Sequence, residues 1–241
     1  MKFLYSCFVF FFLVNGIAYP QNNVTTAKSS RETGGWQKSF DFENAAFSSA
    51  GKNKYFIMQP GYQLVLEGSD GEENVKLVIA VLNETGKIGD VETRVVEELE
   101  TANGELVEVS RNFFAIDTTT ADVFYFGEEV DIYRDGKITG HSGAWRADET
   151  DNHAGLIMPG KIEIGARYYQ EVAPGVAMDR VEIVDTTTVL KTPAGLFKNC
   201  LKTEETTPLE PEAREFKIYA PGIGLIRDEN LLLTKYGFNI E

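Results

Sequence analysis

The chain contains few of the residues that build disulfides, metal centres and acid–base catalysts. It has two cysteines, Cys7 and Cys200, and two histidines, His141 and His153. Cys7 lies in the N-terminal apolar run, so Cys200 has no partner for an intrachain disulfide once that run is removed. The alternating residues around Cys200 predict a buried, inert thiol. No CxxC, HExxH or glycine-rich phosphate loop occurs, so we expect no metal site and no cofactor.

Positive charge and long apolar runs are also scarce. The chain carries 23 basic residues against 37 acidic ones, and its formal net charge is −14. Nucleic acids and anionic membranes would repel such a protein, so we expect neither as a partner. The apolar run at residues 3–14 is shorter than the about 20 residues that cross a bilayer as a helix. We therefore expect no transmembrane segment after the N-terminus is cleaved.

The first 18 residues have the pattern of a secretory signal peptide. Lys2 supplies the positive charge, the apolar run follows, and Gly16-Ile17-Ala18 is a small-x-small cleavage site. Residues 19–38 are polar and predict a flexible leader. These features predict an extracytoplasmic protein, either periplasmic or secreted.

Residues 39–241 are predicted to form a single β domain. Val75, Leu77, Ile79 and Val81 share one face of an extended segment, which is the period of two of a half-buried strand. Asn103-Gly104 is a strong hairpin signal, and similar turn dipeptides recur through the chain. The predicted fold is all-β, a curved antiparallel sheet or a partly closed barrel.

A weak internal repeat relates residues 55–145 to residues 155–241. Met58-Gln59-Pro60-Gly61 is similar to Met158-Pro159-Gly160, and each segment leads into β-rich sequence. We interpret the two segments as related β-meander halves closing over one core. Chance similarity between two β-rich segments is the alternative.

Residues 214–228 contain the clearest single strand. Phe216, Ile218 and Ala220 alternate with Lys217 and Tyr219, and Pro221-Gly222 then predicts a turn. The apolar set is predicted to face the core, with the opposite face solvated.

Four segments together resemble an uncharacterised family of exported bacterial β-rich proteins. The resemblance implies an extracytoplasmic protein with a curved sheet or barrel, and it implies no activity and no catalytic residue. The segments are residues 60–68, 123–128, 155–159 and 206–226, and the last ends in Tyr219-Ala220-Pro221-Gly222-Ile223-Gly224-Leu225-Ile226.

An excess of aromatic residues provides the candidate binding site. Adjacent aromatic pairs place one ring on each face of a sheet, so half of these rings lie outside a shared core. Such rings line a ligand groove or pack under a second sheet, and core packing is the favoured interpretation. The candidate ligand-binding residues are Tyr125, Tyr133, Trp145, Tyr169 and Tyr219.

Three functions remain open on the sequence. The leading hypothesis is an exported, non-catalytic binding or carrier module for a small apolar ligand. The second is a secreted hydrolase that uses carboxylates or the region of His141 and His153. Its nearest nucleophile motif, around Ser142, has Ala144 where the motif requires glycine, and its flanks predict strand rather than helix. The third is a structural or adhesive surface protein.

Overall fold

The protein is all-β, as the sequence predicts. A computed structural model describes residues 35–238 and 240, and every regular element in that part of the chain is a β-strand. No helix among these residues is long and apolar enough to cross a membrane. The predicted signal peptide and most of the predicted leader lie outside the described residues. The first strands are short: β1 (Phe47–Ser48), β2 (Gly51–Lys52) and β3 (Ile57–Met58).

Five long strands then form a meander in which each strand pairs antiparallel with the next. Asn103-Gly104 joins two of them, and both residues have positive φ angles, 52° and 84°. This is the type I′ geometry that matches strand twist, so the predicted hairpin is confirmed. The strands are β4 (Tyr62–Asp70), β5 (Glu73–Ile88), β6 (Val91–Ala102), β7 (Glu105–Asp117) and β8 (Val123–Arg134).

Five short strands link this meander to a second one. Three of them, β9, β10 and β11, pair with β8, the outer strand of the first meander, and β11 continues the sheet beyond it. The five are β9 (Lys137–Gly140), β10 (Trp145–Arg146), β11 (His153–Met158), β12 (Arg167–Tyr169) and β13 (Glu171–Val172).

The second meander also has five antiparallel strands, and its last strand pairs with the first strand of the other meander. Leu233 lies opposite Leu66 in that pairing. Each of the two predicted halves, 55–145 and 155–241, therefore contains one meander, while their sequence relationship stays a prediction. The strands are β14 (Arg180–Thr192), β15 (Gly195–Thr207), β16 (Glu210–Ala220), β17 (Gly224–Asp228) and β18 (Leu231–Phe238).

A six-residue segment brings the two outer edges of the sheet together. β12 pairs with β14 at one edge, and β13 pairs with β11 at the other. Only Gln170 separates β12 from β13, so one short stretch of backbone bonds to both edges. The sheet is consequently a nearly closed barrel. We call this six-residue segment and the two strands that it bonds the seam. Gln37, within the predicted leader, also contacts the seam, because its backbone amide donates to the carbonyl of Arg167 at 2.9 Å.

The predicted strand forms as β16, and Ile218 and Ala220 are buried as predicted, but the predictions for Phe216 and Lys217 are wrong. Phe216 is 37% exposed, and the Lys202 ammonium lies over its ring on the outside of the sheet. Lys217, predicted to be solvated, is only 5% exposed. The orientation follows from charge, because Lys217 has carboxylate partners inside the barrel, which make burial of its ammonium tolerable.

The seam generates a prediction about Gly155 on β11. A Cβ atom built there would lie 2.3 Å from the backbone carbonyl of Gln170, so Gly155→Ala forces the two edges apart. We expect a loss of about 1–3 kcal/mol of unfolding free energy, the usual cost of overpacking. Gly140→Ala is the control, since nothing lies within 4 Å of the added atom. Urea denaturation measures both variants, and equal midpoints would contradict the close approach at the seam.

Candidate binding site

An apolar cavity lies among the inward faces of neighbouring strands of the barrel. Ile79 lies opposite Leu64 on β4 and Glu98 on β6, and Val81 lies opposite Val96. Because residues two apart on a strand share a face, these side chains converge on one space. The cavity has a volume of about 70 Å³.

Aromatic and aliphatic side chains from distant parts of the chain complete the wall. The Tyr62 hydroxyl, on β4, donates to the carbonyl of Ile223 in the turn before β17 at 3.0 Å. This bond ties the two meanders together beside the cavity. The further apolar wall residues are Tyr55, Phe56, Ile57, Phe114, Ile157, Tyr219, Gly224 and Leu225.

Three charged residues form the polar end of the cavity: Glu98, Lys217 and Asp228. The Lys217 Nζ lies 3.1 Å from Glu205 Oε2 and 3.8 Å from Asp228 Oδ2. Lys217 and Asp228 are paired across β16 and β17, which fixes their distance through the backbone register. The cavity is thus apolar along most of its wall and charged at one place.

The ion pairs determine the protonation states of Lys217 and Asp228 at the polar end of the cavity. Burial by itself lowers the pKa of Lys217, but the carboxylates of Asp228 and Glu205 outweigh it and raise that pKa well above its usual range. Burial raises the pKa of Asp228 to about 7, although Lys217 pulls it down. Lys217 therefore stays an ammonium ion, which is not a nucleophile.

Further buried acids line the barrel interior beyond the cavity. Glu100 on β6 and Glu108 on β7 face each other across the two strands and are 5% and 3% exposed. Burial, reinforced by neighbouring carboxylates, raises the pKa of each to about 8. These acids are held in the neutral form near neutral pH, because charging them without water is costly.

The structure does not bring the five predicted binding residues together. Tyr219 lines the cavity. Tyr125 and Trp145 pack edge to face in the core, with ring centroids 5.1 Å apart. Tyr169 is buried against Trp36 near the seam, and Tyr133 is half-buried on β8.

The charged residues Lys217 and Asp228 of the cavity were not among the residues predicted from the sequence. Lys217 lies two positions before Tyr219 on the same strand and therefore shares its face. That spacing alone was enough to place Lys217 beside a predicted binding residue. Asp228 had no comparable signal, because its position depends on the register of β17 against β16.

His141 and His153 lie at the solvated surface of the protein. His141 Nδ1 lies 2.9 Å from Asp131 Oδ1 and 2.8 Å from the carbonyl oxygen of Val130. Both side chains are partly exposed and border an open groove of about 270 Å³ with Arg111 and Glu129. His153 is exposed at the start of β11.

The polar loop before β11 has a structural role. Asp148 accepts from the Arg146 guanidinium and from the backbone amide of Gly89, at the turn between β5 and β6. Among the described residues, no three His, Cys, Asp or Glu side chains group closely enough to hold a metal ion. Cys200 is fully buried, which confirms the predicted burial of its thiol.

Comparison with known proteins gives no further guidance to the function. No protein-family model matches the chain, and neither a curated protein nor a solved structure matches it. The resemblance to an exported bacterial family therefore stays a prediction. The cavity and its charged end are the basis for the function proposed below.

The buried ion pairs generate a stability prediction. Lys217→Ala leaves the carboxylates of Glu205 and Asp228 without their cation, and we expect a loss of about 3–5 kcal/mol. Phe216→Ala and Lys202→Ala change neighbouring side chains on the outside of the sheet, and we expect each to cost within about 1 kcal/mol. Guanidinium denaturation at pH 7 measures all three. A larger loss for Phe216→Ala than for Lys217→Ala would mean that β16 faces the other way.

The buried acids generate a prediction for pH. Between the ordinary carboxyl pKa near 4.5 and the raised value of about 8, folded Glu108 keeps a proton that the unfolded chain releases. Its contribution to stability is therefore greatest at low pH and is lost as the pH rises from 5 to 8. Each pKa unit corresponds to about 1.4 kcal/mol. In Glu108→Gln the decrease in unfolding free energy between pH 5 and pH 8 should therefore be smaller than in the unaltered protein by on the order of 1–3 kcal/mol. Glu105→Gln, exposed on the same strand, should leave the pH profile unchanged in denaturation experiments.

Proposed function

We propose that the protein is an exported, non-catalytic binding or carrier module for a small apolar ligand, which occupies the barrel cavity. The observation that supports this most directly is a cavity with an apolar wall and a few converging polar groups at one end. Binding sites for small molecules have this composition. The predicted signal peptide and the acidic surface are consistent with export as a free carrier.

The size of the cavity limits its ligand. An apolar cavity of about 150 Å³ accommodates benzene in other proteins, whereas this one measures about 70 Å³. A short alkyl chain or a branched group of a few carbons fits without rearrangement. A longer ligand has to extend past Phe56, Ile57 and Ile223, wall residues that are half-buried and so form the outer part of the cavity.

The protonated state of Lys217 favours binding over catalysis. A lysine that forms a covalent adduct with its substrate has to lose its proton first. Here Glu205 and Asp228 raise the Lys217 pKa and so oppose that loss. The hydrolase hypothesis for His141 and His153 has less support, because both histidines lie at the partly exposed surface.

The proposal predicts that a small apolar probe enters the cavity. Xenon occupies dry apolar cavities, and propane is an alkane small enough for this one. We expect each to shift the methyl NMR signals of Leu64, Ile79 and Leu225, and to leave exposed methyl groups unchanged. Val81→Phe fills the cavity and should abolish these shifts.

Val78→Phe is the matched control, because it adds the same group to the same strand on a face that does not line the cavity. It should leave both sets of shifts intact. If neither xenon nor propane affects the wall methyl groups in the unaltered protein, the proposed function is wrong.

A further inference from the structure

Asp228 is an unusual wall residue for an apolar cavity. It is 1% exposed, and its Oδ2 forms the ion pair with Lys217. Its other oxygen, Oδ1, is also buried and accepts no hydrogen bond from any described residue. A buried acceptor without a donor is costly, so a ligand that supplies a donor at this place gains more than one that does not.

The balance of charge around Asp228 indicates which donor fits. Lys217 is the cation at this end, and its closer partner is Glu205, 3.1 Å away, rather than Asp228 at 3.8 Å. Asp228 and Glu98 add two further carboxyl groups to the wall. When these groups are ionised, the polar end carries more negative than positive charge.

A ligand with a carboxylate head meets repulsion at this end. Its charge would approach Lys217 only beside carboxyl groups that already hold that lysine, and like charges at short range in a poorly solvated space repel strongly. A purely apolar ligand leaves Asp228 Oδ1 without a donor. A positively charged donor satisfies both requirements, since it donates hydrogen bonds and offsets the excess negative charge.

We propose that the ligand is an aliphatic amine, with its alkyl chain in the apolar part of the cavity and its ammonium group donating to Asp228 beside Glu98. This inference rests on the proposed binding function and adds the chemical class of the head group. No covalent step is involved. Lys217 acts as a structural cation that fixes the position of Asp228.

The test compares three compounds with the same propyl chain and different head groups: propylamine, 1-propanol and butanoate. Binding is measured at pH 8 by titration of the methyl NMR signals of the cavity wall. Asp228 is ionised at that pH, because its pKa is about 7. We expect propylamine to bind about tenfold or more tightly than 1-propanol, the ratio expected for one charged hydrogen bond, and butanoate to bind weakest.

Two variants test whether Asp228 causes the preference for the amine. Asp228→Asn should abolish the preference for propylamine and retain the binding of 1-propanol. Glu229→Gln removes one negative charge from the adjacent residue, which does not line the cavity, and should keep the preference. Should Asp228→Asn fail to fold, Glu98→Gln is measured in its place and should reduce the preference.

The outcomes separate this inference from the proposed function. Equal binding of the three compounds, or tighter binding of butanoate, overturns the amine and leaves the binding function in place. Loss of the preference in Glu229→Gln as large as in Asp228→Asn overturns the assignment to Asp228, because net charge then explains it. If no propyl compound binds and xenon also fails to enter, both proposals are overturned.

Discussion

The buried ammonium of Lys217 is the interaction on which the barrel interior depends. It holds Glu205 of β15 and Asp228 of β17 on either side of its own strand, so three adjacent strands are linked through side chains as well as backbone. Such a pair contributes little net stability over an apolar replacement, but it is very sensitive to the loss of one member. We therefore interpret it as a device that fixes the register and inward face of these strands.

The distribution of buried charge divides the interior into two regions. One is an apolar cavity walled by Tyr62, Ile79 and their neighbours. The other is a group of neutral carboxylic acids on β6 and β7, including Glu100 and Glu108. The polar end of the cavity lies between them, because Glu98 shares the inward face of β6 with Glu100. A bound head group would thus meet a region whose charge changes with pH.

Much of the fold was predictable, because it depends on local patterns. The alternation of Val75 to Val81 gave a strand, and Asn103-Gly104 gave a hairpin of the expected geometry. Alternation does not reveal which of two faces points inward, however. At Phe216 and Lys217 hydrophobicity indicated one orientation, and the carboxylates that pair with Lys217 reversed it. Those partners come from two other strands, so the reversal could not be predicted from residues 214–228 alone.

The candidate site was less predictable than the fold for the same reason. Tyr219 was chosen for its aromatic ring, while Asp228 and Lys217 became neighbours only through strand register.

The pairing of β18 with β4 has a consequence for the folding of the newly synthesised chain. Leu233 and Leu66, which face each other there, are separated by most of the chain, and β18 follows all the other described strands in sequence. Until it arrives, β4 has an unpaired edge on the side that β18 later occupies, and such an edge can pair with another chain. Contacts this distant in sequence also slow folding.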